Sequence, residues 1–267
     1  MSIFIFELKS TIKSYILWML SILCVIGMFY ELMYPILIDT KSEVLDIFNA
    51  YPEEMLVSIG MDIDAIFSSE GFFDFVYGYI VLFSAIMGVN LSISILGREK
   101  IHKCVEFLYT KPSTQLKVYT CKVVSLFVEI LVCNLVLTAT VYYYLEFNGY
   151  EFKEFISVIN LFLSMFLPQI MFASIGMLIA TILKKIKASA IVSISVGVGF
   201  IGFIISMISR MFDDKLYKLF AVCDYFAPMD ILKGGSFDMK YFVVGIGLTI
   251  VCVIVSIITQ SKRDIMM

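Results

Sequence analysis

Six apolar runs divide the sequence, and each is long enough to cross a lipid bilayer as a helix. A helix needs about 20 residues to span roughly 30 Å of hydrocarbon. Inside that layer a helix satisfies its own backbone hydrogen bonds, which an open chain cannot do. The pattern therefore predicts an all-α polytopic membrane protein with six transmembrane helices. The runs lie at 15–37, 73–96, 119–145, 155–183, 188–209 and 241–260.

The composition agrees with this fold class. Of the 267 residues, 60% are hydrophobic and 16% are charged, whereas soluble globular chains are about 45–50% apolar and about 25% charged. The six cysteines show no C-x-x-C spacing. We therefore expect small buried hydrophobic side chains at these positions, rather than a disulfide framework or a zinc site.

The connectors between the runs alternate in charge. Segment 39–71 carries eight acidic residues and one lysine, whereas connector 97–122 carries six basic and two acidic residues. The short KKIK sequence at 184–187 is basic as well. Because Lys and Arg are retained preferentially in the cytoplasm, we predict that both termini, 97–118 and 184–187 are cytoplasmic. The pattern thus predicts a multi-pass plasma membrane protein whose other three connectors face outward.

Two parts of the chain differ in character. Residues 1–14 alternate apolar and charged side chains imperfectly, which predicts an amphipathic interfacial helix, an elbow that lies in the headgroup plane. Residues 15–267 form the six-helix transmembrane domain. Within that domain, 39–72 is predicted to be an extracellular amphipathic segment, and 97–118 a cytoplasmic helical connector.

The sequence carries no catalytic or metal-binding motif that we recognise. It has no G-x-x-x-x-G-K-[ST] phosphate loop, no H-E-x-x-H and no G-x-S-x-G. We therefore do not expect this chain to hydrolyse ATP by a phosphate loop, or to act as a zinc or serine hydrolase. The single histidine, His102, lies in the basic connector and is interpreted as a solvated surface side chain. No catalytic residue, metal or cofactor is predicted for this chain.

Two polar residues within the spans are candidates for lining a translocation path. Glu129 lies about ten residues into the third run, where a charge costs about 3 kcal/mol or more. It is predicted to face a lumen, a partner subunit, or a lysine near the inner boundary such as Lys122. Gln169 follows Pro168 in the fourth run, and its amide is suited to bond backbone groups that a proline leaves unpaired.

Connector 97–122 has a pattern that its charge alone does not explain. Ile101, Val105 and Leu108 follow a helical spacing of i, i+4 and i+7, and Pro112 ends that helix. A solvated loop whose lysines meet anionic lipid would account for the charge but not for the apolar stripe. An apolar stripe edged by charge is typical of a helix that docks into a groove of another protein.

The connector also resembles a known family. The run "EKIHKCVEFLYTKPSTQLKVYTCK" is similar to the cytoplasmic segment of ABC-2-type ABC-transporter permeases, with its recurring T-x-E-[FL]-L-[LF]-[ST]-K-P motif. The chain departs from the motif at Cys104 and Val105, where small residues or threonine are common. Upstream, "YPEEMLVSIGMD" and "EGFFDFVYGYIVLFSAIMGVNLS" resemble the outer segment and second span of that family. Within it, the chain is most similar to permeases of Gram-positive exporters, including those that expel phenol-soluble modulin peptides.

The resemblance implies the transmembrane half of an ATP-driven exporter for hydrophobic or amphipathic cargo, peptides among them. Two permease subunits, identical or different, would form the path in the lipid bilayer. Separate cytoplasmic ATPase subunits would bind the ATP and Mg that this chain does not, and no nucleic acid is expected as a partner. Connector 97–118 would then be the coupling helix. Its expected ATPase-docking residues are Arg98, Glu99, Lys103, Glu106, Phe107, Leu108, Thr110, Lys111 and Pro112.

A second interpretation is a membrane anchor or sensor subunit that recruits a cytoplasmic partner without moving a substrate. It explains the docking helix equally well, and the sequence leaves both open. An ion-coupled carrier is disfavoured, because it would be expected to carry several deep ionisable residues and an inverted repeat, whereas only Glu129 lies deep in a run.

Overall fold

The computed structural model of the chain describes residues 2–102, 115–152, 154–183, 185–212, 215–228 and 237–263. These residues form helices joined by turns and short loops, and no strand occurs among them. A π-helical turn at Phe29–Met33 joins α1 to α2, and a 3-10 turn at Val222–Asp224 follows α10. The helices are α1 (Ser2–Met28), α2 (Tyr34–Asp39), α3 (Lys41–Phe48), α4 (Glu53–Ser58), α5 (Ser69–Leu96), α6 (Arg98–His102), α7 (Gln115–Phe147), α8 (Phe155–Ile182), α9 (Ala188–Phe212), α10 (Lys215–Phe220) and α11 (Met239–Arg263).

Six of these stretches are long and apolar enough to cross a membrane, and they coincide with the six predicted runs. The all-α polytopic class with six transmembrane helices is therefore confirmed. Helix α1 continues unbroken from the predicted elbow segment 1–14 into the first span, and the placement of that segment in the headgroup plane stays a prediction. The spans are Phe4–Asp39, Ser69–Leu96, Lys117–Phe147, Phe155–Ile182, Ala188–Phe212 and Met239–Gln260.

Helix α5 lies at the centre of the bundle. It packs against α1, α7, α8 and α9, while α11 packs mainly against α8. Its sequence is apolar on every face, which is typical of a helix buried all round. Side chains from successive turns, among them Phe72, Ile80 and Leu91, are completely buried. The centre of this single chain is therefore filled by α5.

The contact between α5 and α8 depends on small residues. A Cβ atom placed on Gly176 of α8 would lie 2.9 Å from the Cα of Val89 and 2.9 Å from the Cβ of Ser92. The hydroxyl of Ser92 donates to the carbonyl of Ala173 across the same contact, at 2.8 Å. Because lipid gives no hydrophobic force between helices, such close approach supplies the van der Waals contact that holds them together.

The two ends of the bundle differ in charge. We call the end that carries segment 39–71 and residues 215–228 and 237–240 the acidic end, and the end that carries the start of α1, α6 and the start of α7 the basic end. At the acidic end, α4 packs against α9. The turn after α4 needs a glycine twice over: Gly60 has φ +81°, and a Cβ there would lie 2.4 Å from Nη1 of Arg210.

Helix α8 runs on through Pro168, although a proline has no backbone N–H for the carbonyl four residues earlier. That carbonyl belongs to Ser164, and the hydroxyl of Tyr77 on α5 donates to it at 2.9 Å. The same hydroxyl also lies 3.1 Å from the carbonyl oxygen of Phe226. Ser164 is completely buried, so the tyrosine rather than bulk water is placed to supply the missing donor. A side chain of the central helix thus replaces the backbone hydrogen bond that the proline removes.

We expect Tyr77→Phe to lower the free energy of unfolding by about 1–2 kcal/mol, because it leaves the buried Ser164 carbonyl without that donor. Unfolding in detergent by titrated sodium dodecyl sulfate measures the change. Tyr143→Phe is the matched control, since Tyr143 is 58% exposed. Equal stability of the Tyr77→Phe variant and the wild type would contradict the role assigned to the hydroxyl.

Candidate functional site

The described start of the connector lies tightly against the bundle at the basic end. Helix α5 ends at Leu96, and Gly97 caps it by donating its N–H to the Ile93 carbonyl at 2.8 Å. A Cβ on Gly97 would lie 2.6 Å from that carbonyl oxygen and 2.8 Å from Cδ1 of Ile186. Only glycine fits between these two groups. Helix α6 begins at the next residue and therefore lies close against the ends of the spans.

The first residue of α6 is bound to α1. Nη1 of Arg98 lies 2.8 Å from Oε2 of Glu7, and its guanidinium lies over the ring of Phe6, 5.7 Å from the centroid. Glu7 is 3% exposed. The chain therefore buries a carboxylate on the first span to hold the start of the connector.

The second residue of α6 is bound to α7. Oε1 of Glu99 forms a short ion pair with the ammonium of Lys122, which also lies 3.9 Å from Oε1 of Glu7. The same ammonium donates to the carbonyl of Ile95 at 2.8 Å. Lys122 is 3% exposed, and these three oxygens compensate for the hydration it has lost.

The third residue of α6 is bound to the end of α8. Nζ of Lys100 lies 2.5 Å from the carbonyl oxygen of Ala180, 3.2 Å from that of Thr181 and 3.0 Å from that of Leu183. The last carbonyls of a helix have no helical donors and form the negative end of its dipole. The ammonium of Lys100 donates to these carbonyls and also places a positive charge at the negative end of the α8 dipole.

Three consecutive residues thus attach the connector to three different spans. We call Arg98, Glu99 and Lys100, together with their partners Glu7 and Lys122, the junction. Successive side chains of a helix are rotated by about 100°, so three in a row point in three directions around α6. A movement of α6 would therefore reach α1, α7 and α8 together.

The junction pairs each of its carboxylates with a cation and carries one further cation, Lys100, at the end of α8. Its two carboxylates, on Glu7 and Glu99, face the guanidinium of Arg98 and the ammonium of Lys122, while Lys100 faces backbone carbonyls. Ion pairs removed from water add little net stability, but removing one partner is costly. The geometry thus suits a fixed mechanical contact. Within the described parts of the chain, no three or more His, Cys, Asp or Glu residues come together as metal ligands.

Glu129 of α7 lies farther from the basic end than the junction does, and its side chain faces α1. It is 5% exposed, and its Oε1 accepts a short hydrogen bond from the hydroxyl of Thr11 on α1. The carboxylate thus faces Thr11, which was not among the surroundings expected from the sequence, namely a lumen, a partner subunit or Lys122. A role for Glu129 in a translocation path stays a prediction.

Gln169 pairs with a residue that sequence reasoning did not single out. Its Oε1 accepts from Nδ2 of Asn134 on α7, and the same Nδ2 donates to the carbonyl of Ile130 at 2.9 Å. Both amides are buried, and Gly88 of α5 leaves room for Gln169, whose backbone oxygen would lie 3.0 Å from a Cβ there. The side chain joins α7 to α8 beside α5, and its predicted part in a path stays a prediction.

Sequence reasoning named Arg98 and Glu99 as ATPase-docking residues, a role that stays a prediction, and it did not single out Glu7 or Lys100. Glu7 is the one acidic residue in the first 14 residues, which also carry two lysines. An acid at this basic end could have indicated a paired carboxylate. The contact of Lys100 with the end of α8 had no such signal, because 80 residues separate the partners. The other predicted docking residues lie outside the described residues: Lys103, Glu106, Phe107, Leu108, Thr110, Lys111 and Pro112.

We expect Glu7→Gln to lower the free energy of unfolding by about 3 kcal/mol, because it leaves Arg98 and Lys122 short of a buried counter-charge. Combining Glu7→Arg with Arg98→Glu should recover part of that loss. Unfolding in detergent by titrated sodium dodecyl sulfate measures both. Lys9→Gln, at an exposed position of the same helix, should change stability by no more than about 0.5 kcal/mol. Equal losses from Glu7→Gln and Lys9→Gln would refute the buried pairing.

Comparison with known proteins gives a match over nearly the whole chain. Residues 1–265 match the family described as ABC-2 family transporter protein. No curated protein and no solved structure matches the chain. A family match of this extent agrees with six apolar helices in a multi-pass plasma membrane protein. The chain therefore belongs to the ABC-2 transporter family, as a transmembrane subunit of an ABC transporter.

Proposed function

We propose that this chain is the permease of an ATP-driven exporter and that the junction passes the movement of a cytoplasmic ATPase to the spans. The observation that carries the proposal is the attachment of Arg98, Glu99 and Lys100 to α1, α7 and α8. ABC-2 permeases generally lie in the lipid bilayer and work with a cytoplasmic ATPase. The ATPase would dock on connector 97–118 and would bind the ATP and Mg.

The charge distribution supports a cytoplasmic position for the junction. The basic end carries Lys9, Lys13, Lys117 and Lys185 at exposed positions, in addition to the three cations of the junction. Lys and Arg near the ends of spans are retained preferentially in the cytoplasm. An ATPase needs cytoplasmic ATP, so the connector lies on the side where such a subunit would meet it.

The packing of α5 supports a path between two subunits rather than through one. Side chains of α5 fill the centre of the chain, and 83% of the residues in an apolar stretch of 18 residues within α5 are buried. A cargo path through that centre would require α5 to leave its four neighbouring helices. A second permease subunit, identical or different, would instead enclose a path along the outer faces of the spans.

The cargo we propose is hydrophobic or amphipathic, peptides among them. The outer faces of α1, α9 and α11 are apolar, with exposed side chains such as Leu17, Ile201 and Val251. Segment 39–71 forms short helices at the acidic end rather than a separate folded domain. Cargo would therefore enter from the cytoplasm or the inner leaflet, and the resemblance to phenol-soluble modulin exporters favours the same class.

The second candidate is a membrane anchor or sensor subunit. The junction supports it as well, because movement of a docked partner would also be passed to three spans. The two candidates differ in whether ATP drives movement of cargo. Variants that separate docking from transmission distinguish them.

We expect Phe107→Asp and Glu106→Lys each to reduce co-purification of the ATP-binding subunit by about tenfold, which corresponds to 1.4 kcal/mol of binding. The first replaces an apolar ring next to Leu108, at the end of the apolar stripe, with a charge, and the second reverses a charge beside it. The chain is co-expressed with the ATP-binding subunit of its gene neighbourhood and purified by its own tag. Lys185→Gln, in the other basic connector, should leave co-purification unchanged. If both docking variants co-purify as much of the ATP-binding subunit as the wild type does, the connector is not the docking site.

Lys100→Met should leave the ATP-binding subunit attached but reduce transport by about tenfold, because α6 loses its hold on the end of α8. ATP-dependent uptake of a fluorescently labelled amphipathic helical peptide into inside-out vesicles measures the loss. Wild-type chain that stimulates ATP hydrolysis but moves no labelled peptide would favour the anchor or sensor. Wild-type uptake by Lys100→Met would contradict transmission through the junction.

Both termini and the connector should be cytoplasmic. Green fluorescent protein fused after residue 267 should fluoresce, and alkaline phosphatase fused there should be inactive. Phosphatase inserted after Asn49, in the exposed turn that follows α3, should be active because that turn would face outward. The opposite pattern of activities would reverse the proposed orientation.

A further inference from the structure

A cavity of about 940 Å³ opens at the acidic end of the chain, within the size range of sites for small molecules. The turn after α4 covers one side, and α5, the end of α9 and residues 224–227 form the others. We call this cavity the outer chamber. It stands apart from the tightly packed centre, where large side chains around α5 leave little free space.

The floor of the outer chamber is aromatic. Tyr77, Tyr225 and Phe226 line it and are at most 6% exposed. Tyr225 stacks on Tyr241, another lining residue, with 5.1 Å between the ring centroids. Tyr51 stands at the rim and is 51% exposed. The chamber therefore offers flat apolar surface to a ligand, from a wet rim down to a dry floor.

The walls of the outer chamber are mainly negative. Among the described lining residues, Arg210 and Lys218 are basic, and five are acidic: Asp62, Asp64, Asp74, Asp224 and Asp238. The guanidinium of Arg210 is engaged by Asp224, with 3.2 Å from Nε to Oδ2 and 2.5 Å from Nη2 to Oδ1. A cavity with low-dielectric walls and an excess of one sign concentrates the opposite charge.

The acidic residues are spread around the chamber rather than gathered at one point. Within the described parts of the chain, no group of three or more His, Cys, Asp or Glu residues is placed to hold a metal ion. Aromatic faces bind organic cations through the negative charge of the ring. This arrangement therefore fits an extended organic cation rather than a metal.

We propose that the outer chamber is a binding site for organic cations with an apolar body. The apolar body would lie on the floor formed by Tyr77, Tyr225 and Phe226, and the positive charge would face the carboxylates and the ring of Tyr51 at the rim. The site lies about 30 Å from the junction, since some 20 residues of α5 rising 1.5 Å each separate Tyr77 from Arg98. Binding here is independent of ATPase docking, and its failure would leave the proposed function unaffected.

The test uses two probes of equal size and opposite charge, tetraphenylphosphonium and tetraphenylborate. Equilibrium binding is measured on the full chain in phosphatidylcholine nanodiscs, after subtraction of the uptake by empty discs. We expect saturable binding of the phosphonium and none of the borate. Asp64→Asn combined with Asp238→Asn should weaken phosphonium binding roughly threefold to tenfold, because each carboxylate sits at an exposed rim position.

The matched control is Glu43→Gln combined with Asp46→Asn. It removes the same charge from exposed positions of α3 that do not line the chamber. We expect it to change affinity by less than about twofold. Tyr51→Leu should weaken binding about twofold to fivefold, while Tyr51→Phe should not, because the ring and not the hydroxyl meets the cation.

Equal weakening by the chamber pair and the α3 pair would overturn the proposal, since general surface charge would then explain the binding. Saturable binding of the borate, or phosphonium uptake no greater than in empty discs, would overturn it as well. Thermal unfolding of each variant is compared with that of the wild type. If the chamber pair unfolds early, Asp64→Asn and Asp238→Asn are each measured alone, and unchanged affinity in both overturns the proposal.

Discussion

Every other part of the bundle depends on the packing of α5 against four neighbouring helices. Where α8 meets it, Gly176 brings the backbones so close that a Cβ would lie 2.9 Å from the Cα of Val89. Tyr77 of α5 also supplies the hydrogen bond that Pro168 removes from α8. In hydrocarbon, both effects are needed: close contact takes the place of hydrophobic attraction, and each freed carbonyl must find a donor. The central helix therefore sets the positions of α1, α7, α8 and α9 at both ends.

At the basic end, that arrangement brings residues distant in sequence to one point. Glu7, Glu99 and Lys122 come from α1, α6 and α7, and their charges meet under the spans. Burying such a set adds little net stability, but it fixes the direction in which α6 lies, because any other direction leaves a charge unpaired. In an ABC-2 subunit, a connector fixed in this way is suited to transmit force, whereas a loosely held connector would absorb it.

The two ends of the chain serve different chemistry. The junction at the basic end is filled, and each of its carboxylates is paired with a cation, as a mechanical contact requires. The outer chamber at the acidic end is open, and its described walls carry five carboxylates against Arg210 and Lys218. The central helix separates them by most of the membrane thickness, so the residues that would meet the ATPase and the residues that would bind a cation do not overlap.

The sequence by itself determined the six spans, because a run of about 20 apolar residues has only a helix available to it in hydrocarbon. It also identified the connector from a local pattern of charge and helical spacing, whereas Arg98 and Glu99 were named through the family resemblance, as residues that contact an ATPase. Only the tertiary structure decided what those residues touch. The partners of Arg98 and Lys100 lie about 80 or more residues away along the chain, and no local pattern records which helix packs beside which. The same holds for Glu129, which faces Thr11, because the packing of α1 against α7 selects one of several directions that its position along the span allowed.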